Sequence, residues 1–248
     1  MAIAVENAAA GKSIIWGAPT YDQVRIGFKE THRAANSVAS FNQSRMEVSF
    51  PSGGVIYYRS LDDPDNVRGY TADGVVIDES ADVAEDAWVA VLRPMLMDTG
   101  GWAWSVGTPK GRNWFWREHQ KAKDDQNSAS WQVPTLGVKI SEKGLEREPH
   151  PYENPEVDFD EITNLYKSMP EIIFRQEILA EFIDDQGGVF RRVQEAAVLS
   201  PSEPKPGRQY VAGVDVAASV DYTVVSVLDV ESKEMVYLDR FNRVDYPV

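Results

Sequence analysis

Gly74-Val75-Val76-Ile77-Asp78-Glu79-Ser80 is the stretch on which the fold turns. Three β-branched residues in unbroken succession predict a strand buried on both faces, as a parallel sheet requires. Asp78 and Glu79 close the run. The strand therefore delivers two carboxylates to the carboxyl edge of its sheet, where ligands of open α/β folds bind. At such an edge the first acid can hold Mg²⁺, and the second can orient or deprotonate a water that attacks a γ-phosphate. The alternative is a strand that simply ends in a solvated acidic turn.

Working outward, strands and helices alternate. Residues 1–10 read as the end of an alanine-rich helix and Ser13–Gly17 as a short apolar strand. Thr20 is placed to cap a helix over about 21–34. Arg45–Phe50 and Val55–Ser60 flank Pro51-Ser52-Gly53-Gly54, a hairpin signal. After the acidic strand, Val83–Met97 reads as one helix whose last turn Pro94 bends or shortens. Trp102–Val106 reads as a strand and Arg112–Lys123 as a helix. This order predicts an α/β fold with a mainly parallel sheet. Residues 144–157, rich in proline and acids, read as a loop, followed by helices at 158–168 and 170–181. Pro201, Pro204, Pro206 and Gly207 mark a linker. Tyr210–Asp215, Thr223–Asp229 and Met235–Asp239 then read as three consecutive strands.

Composition narrows the function classes. No run in the 248 residues approaches the ~18 apolar residues of a membrane helix. There is no cysteine, which excludes disulfides and thiolate metal sites, and the three histidines have no zinc-hydrolase spacing. The net charge of −14 argues against passive gripping of DNA, but its distribution matters more. Glu142 to Asp185 holds 13 acids and 4 bases, whereas Ser105 to Lys123 holds five bases and one acid. A protein that touches DNA through local patches remains compatible with both numbers.

Four further segments bear on chemistry. Gly11-Lys12-Ser13 invites a phosphate-loop reading, but G-x-x-x-x-G-K-[ST] needs a glycine where this chain has Glu6. It also follows a helix and leads into a strand, the reverse of a phosphate loop, so a helix-terminating glycine is the better reading. Ser105-Val106-Gly107-Thr108-Pro109-Lys110-Gly111 ends the next strand, where the Thr108 hydroxyl and a flexible glycine can sense a γ-phosphate. Arg68-Gly69 lies just upstream of the acidic strand. Finally, Gly213-Val214-Asp215 places an acid on an apolar strand and Asp221 opens the next one. Buried acids are costly unless they bind metal or are hydrogen-bonded, and two-metal nucleases present carboxylates in this way. The competing reading is a turn aspartate between strands.

Taken in order, these segments resemble the large terminase subunit of tailed phages, the motor and nuclease that packages viral DNA. Ile14–Tyr21 resembles the strand and turn after its phosphate-loop helix, and Asp65–Gly69 its arginine-glycine loop. Val75–Glu79 is similar to its Walker B strand, with Asp78 matching the magnesium acid and Glu79 the catalytic glutamate. Ser105–Gly111 resembles its coupling motif, and Phe174–Phe182 followed by Gly187-Gly188-Val189-Phe190 its motor-to-nuclease junction. Gly213-Val214-Asp215 with Asp221 is similar to the opening of its nuclease domain.

The resemblance implies a P-loop-type (ASCE) ATPase core over 1–184, a linker over 185–208 and the first strands of an RNase H-like nuclease over 209–248. It implies ATP and Mg²⁺ as cofactors, bound by Asp78, Glu79 and Thr108, with Mg²⁺ or Mn²⁺ at Asp215 and Asp221. Asp78, Glu79, Thr108 and Asp215 become the catalytic candidates. Double-stranded DNA, a portal protein, a small terminase subunit and further copies in a homo-oligomeric ring are the implied partners, with no membrane. The implied location is the host cytoplasm, at the portal vertex of the procapsid. Because that family's phosphate loop would precede Met1 and its other nuclease acids would follow Val248, the chain is expected to be an inactive internal fragment. A helicase-like ATPase, or a catalytically silent assembly remnant, are the competing expectations. Arg25, Arg33, Arg45, Arg68 and Arg112 are all open as an arginine finger.

Overall fold

The computed structural model describes residues 1–183, 203–216 and 222–241. The chain forms two compact units, Met1–Gln186 and Gly187–Val248. The first contains, in order, α1 (Ala2–Ala9), β1 (Ser13–Ala18), α2 (Tyr21–Ala35), β2 (Ser40–Asn42), β3 (Glu47–Ser49), β4 (Val55–Ser60) and β5 (Gly74–Ile77). After these come α3 (Arg93–Met97), β6 (Trp102–Ser105), α4 (Trp114–Asp124), β7 (Val138–Ser141), β8 (Gly144–Arg147), α5 (Phe159–Ser168) and α6 (Glu171–Glu177).

Six strands form one sheet in the order β2-β3-β4-β1-β5-β6. The four strands β4, β1, β5 and β6 are mutually parallel, and β2 and β3 extend the sheet antiparallel. The hairpin signal is realised at Pro51–Gly54, where the Phe50 amide donates to the Gly54 carbonyl at 2.9 Å.

Successive residues of β1 and β5 face opposite sides, and both sides are covered. Ile14, Trp16 and Val76 pack with α1 and α2, through Ala4, Ala8, Val24 and Phe28. Ile15, Val75 and Ile77 pack against Trp88, Val91, Leu92 and Leu96 on the other side. The helix after β1 and the helical segment after β5 thus lie on opposite faces. The carboxyl ends of the two strands lie between these layers, the usual ligand position in such folds. Full burial of Ile14, Ile15, Val75 and Ile77 is worth about 1.5–3 kcal/mol each, so this central pair of strands is the most firmly held part of the unit.

Both ends of the β1 region obey local rules. Thr20 caps α2 by accepting from the Gln23 amide. At the other edge, Gly11 takes φ 89°, with Gly11 N–H bonded to Ala8 O and Lys12 N–H to Asn7 O. That pair of bonds is a Schellman closure of α1, which needs a left-handed residue and favours glycine. Lys12 pairs with Asp73 at 3.1 Å, on the amino edge of β5 and away from the Asp78 edge. The Gly11-Lys12-Ser13 sequence is therefore a helix terminator.

Three local expectations need correction. Val83–Met97 is not one α-helix: Ala87–Leu92 is π-helical and only Arg93–Met97 is α-helical. Pro94 falls in the first turn of α3, where its missing N–H is not needed, instead of bending a last turn. Residues 144–147 form β8, which pairs antiparallel with β7, instead of a loop. The prolines that suggested a loop begin only at Pro149, after the strand has ended. The helix expected over 170–181 ends at Glu177, and Ala180 adopts φ 54°. Leu136, Val138, Ile162 and Phe174 form the small core beneath this hairpin and α5–α6.

The second unit, by itself, is an antiparallel meander in the order β11-β10-β9, with β9 at Tyr210–Asp215, β10 at Thr223–Asp229 and β11 at Met235–Phe241. Arg208 and the buried Asp229 form an ion pair at 2.6 Å beside the β10–β11 turn. Gly187-Gly188-Val189-Phe190, most of the expected linker, and Asp221 lie outside the described residues.

Candidate active site at the carboxyl edge of β5

Asp78 and Glu79 follow β5 at the carboxyl edge of the sheet. The Asp78 amide donates to the Gly17 carbonyl at 2.8 Å, which extends the β1–β5 pairing by one residue. Its side chain is half-buried, and burial pushes its carboxyl above the usual carboxylate range. The Glu79 amide, the Met1 amino group and the Trp16 indole N–H act in the opposite direction and favour the charged form. Trp16 Nε1 is buried without a hydrogen-bond partner.

Glu79 stands in the left-handed region, φ 50° and ψ 47°. For a residue with a Cβ this costs roughly 1–2 kcal/mol and persists only where the surroundings impose it. The surroundings are visible. Ile77 O accepts from Ser80 Oγ at 2.8 Å, and the Ser80 amide donates to Val106 O at 2.8 Å. The Asp82 amide closes back on Glu79 O at 2.9 Å, making a three-residue 3₁₀ turn over Ser80–Asp82. Gly107, at φ 155°, lies against this turn, and a Cβ there would come 2.9 Å from the Ser80 nitrogen. Asn113 Nδ2 donates to Ala81 O at 2.9 Å and Trp114 Nε1 to Val83 O at 2.6 Å. Lys110 Nζ grips both oxygens of Asp82, at 2.8 and 2.6 Å. Asp82 holds the Lys110 ammonium pKa above its ordinary value, with Glu79 and Glu177 adding to the effect.

The segment after β6 therefore touches each residue from Glu79 to Val83 in turn. Thr108, half-buried, sits within this segment, next to the glycine that packs on Glu79. Three of the five site residues inferred from sequence, Asp78, Glu79 and Thr108, come from one sheet edge. Among the described residues neither Asp78 nor Glu79 has an ion-pair partner within reach. Lys110, Asn113 and Asp82 were not singled out by sequence reasoning. Asn113 carries a recognisable signal, since it also caps α4 through the Trp116 amide at 3.2 Å.

Asp215 behaves differently. It ends β9 opposite Val224 and is exposed. The desolvation argument for a metal there fails in this structure, because a carboxylate in water needs no compensating ion. No group of three acid or histidine side chains capable of holding a metal occurs among the described residues. Of the arginines, Arg33 pairs with Glu30, Arg25 with Asp22 and Arg68 with Asp65, while Arg112 lies over the Trp116 ring. Arg68, at the end of the Pro64–Val67 turn, is exposed.

The family model described as terminase large subunit, T4likevirus-type, N-terminal, matches residues 2–197. The large terminase subunit of Thermus virus P23-45 is 31% identical over 206 residues, covering 74% of this chain and 40% of that protein. The solved ATPase domain of the Thermus phage P74-26 large terminase superposes with a TM-score of 0.52 at 25% identity, covering 73% of this chain and 83% of that one. The large terminase of the thermophilic bacteriophage D6E, solved in complex with ATP-gamma-S, gives a TM-score of 0.51 over 93% of this chain and 55% of that one. At 14% identity, that last likeness is one of fold alone. The chain spans about 40% of the length of the curated relatives it matches.

Proposed function

This chain belongs to the large-subunit terminase family, and from that premise we propose that its first unit is the hydrolytic core of an ATP-driven DNA-packaging motor. The observation that carries the reading is the Asp78-Glu79 turn: two carboxylates at a sheet switch point, the second held left-handed by contacts from the next strand. The residues fit a magnesium ion. Asp78 is half-buried and lacks an ion-pair partner among the described residues, so a cation supplies what burial withholds. Bound there, magnesium would neutralise charge on the phosphate oxygens.

The chain's own residues divide the remaining work. Asp78 would hold the metal, and the hydrogen bond from the Glu79 amide favours its charged form. Glu79 orients the attacking water and takes its proton, a role worth typically 10²–10⁴-fold in rate. Thr108, in the segment braced against Glu79, contacts the γ-phosphate and reports its loss to β6. Arg68 is exposed and available to a neighbouring subunit in a homo-oligomeric ring.

We propose that the whole protein also carries a metal-dependent nuclease that begins with the β9–β11 meander, in which Asp215 and Asp221 would hold Mg²⁺ or Mn²⁺. Double-stranded DNA, the portal protein and the small terminase subunit are its partners, at the portal vertex of the procapsid in the host cytoplasm. The helicase-like reading calls for a second α/β lobe after residue 208; the described residues there form antiparallel strands instead. The test is ATP binding and hydrolysis by the whole protein, with and without magnesium. Glu79→Gln should keep magnesium-dependent nucleotide binding and lose turnover by at least about 100-fold; turnover that survives the substitution overturns the assignment.

A further inference from the structure

The strained conformation of Glu79 is maintained from outside its own strand. Five consecutive residues, 79 to 83, are each contacted by the segment 106–114, and four of those contacts involve backbone or a side chain bound to backbone. The exception is the grip of Lys110 on both Asp82 oxygens, the one contact made through two charged side chains. Asp82 is also the residue whose amide closes the turn onto the Glu79 carbonyl.

We propose that Lys110 is a positioning residue for Glu79: by clamping Asp82 it fixes the far end of the turn that Glu79 opens, and so sets where the Glu79 carboxylate points. The proposal rests on the hydrolytic role given to Glu79 above. Three observations carry it. The Lys110 ammonium bridges both Asp82 oxygens, so the carboxylate is held through two contacts at once. The turn spans only Ser80–Asp82, leaving no slack between the clamped residue and Glu79. And the pair is about one-third exposed on both sides, 34% and 38%, which makes it a poor contributor to stability. A pair of that kind, placed there, acts on geometry more than on the fold.

This separation gives the experiment its readout. In the whole protein, Lys110→Ala should lower kcat for ATP hydrolysis by about 3- to 5-fold with KM for ATP within about twofold, because the nucleotide is still held while the base is misaimed. Tm should move by less than about 4 °C. Lys110→Arg, which keeps a bidentate cation, should recover most of kcat. An unchanged kcat in Lys110→Ala overturns the proposal, as does a loss that arginine does not restore. A second arm does not depend on turnover: hydrogen exchange at the Ser80 and Asp82 amides of the nucleotide-free protein should quicken in Lys110→Ala and return towards wild type in Lys110→Arg. Unchanged exchange overturns the proposal. Should the wild-type protein fail to hydrolyse ATP, the hydrolytic role of Glu79 falls, and the exchange arm still decides whether Lys110 holds the turn.

Discussion

Val75-Val76-Ile77-Asp78 in the first unit and Ala212-Gly213-Val214-Asp215 in the second are near-equivalent as sequence: a short apolar strand that ends in an acid. The structure gives them opposite surroundings. β5 lies between two parallel neighbours and is covered on both faces, so Asp78 emerges half-buried and its neighbour Glu79 is forced left-handed. β9 is an edge of a three-stranded meander, and the whole strand from Val211 to Asp215 is exposed. The sheet around an acid at a strand end, and the segment that braces its backbone, thus decide how much water its carboxyl keeps. Half-buried and exposed acids both occur in this chain at the end of the same sequence pattern.

The largest test of that contrast exchanges the two acids' roles in the whole protein. Asp215→Asn should leave ATP turnover within about twofold and reduce metal-dependent DNA cleavage by about 10³-fold or more, while Glu79→Gln should do the reverse. If both substitutions lower both activities, the two edges are not independent sites. An intermediate effect comes from a pair of glycines. Gly107→Ala forces a Cβ to 2.9 Å from the Ser80 backbone at a φ of 155°, which should cost on the order of 2 kcal/mol in thermal unfolding and lower turnover with it. Gly213→Ala meets only the Ser226 hydroxyl at 3.3 Å and should cost less than about 0.5 kcal/mol. Equal destabilisation would mean that the Glu79 turn is no more tightly braced than β9.

The smallest effect concerns charge. Burial raises the Asp78 pKa, so the folded state gains from protonated Asp78 at low pH and loses that gain as pH rises through the raised folded pKa. Measured in EDTA near neutral pH, Asp78→Asn should therefore raise Tm slightly, by about 1–3 °C, and flatten the decline of stability with rising pH above about 4. The exposed Asp215→Asn should shift Tm by less than about 1 °C. A fall in Tm for Asp78→Asn would show that the carboxylate is already well compensated without metal.

Much of the first unit was legible because its signals are local. The unbroken run Val75–Ile77, the Thr20 cap, the Pro51–Gly54 turn and Gly11 after an alanine-rich helix each act within four or five residues of where they are written. The bracing of Glu79 was not legible, since Lys110, Asn113 and Trp114 reach it across about thirty residues of chain. No periodicity encodes a contact made by the turn after one strand with the turn after another. The π-helical Ala87–Leu92 has ordinary helix-forming residues and differs only in its packing. Strand β8 owes its existence to β7. The exposure of Asp215 was hidden for a similar reason: an apolar strand reads as buried whether or not anything covers it.

The Schellman closure at Gly11 has a practical side. A motif search that scores the letters Gly-Lys-Ser alone would assign this helix terminator to nucleotide binding, although Gly11 stands at φ 89° and Lys12 is tied to Asp73 at the amino edge of β5. Lys12→Ala, the substitution those letters invite, removes only an exposed ion pair. It therefore serves as a control against which variants at the Asp78 edge can be measured.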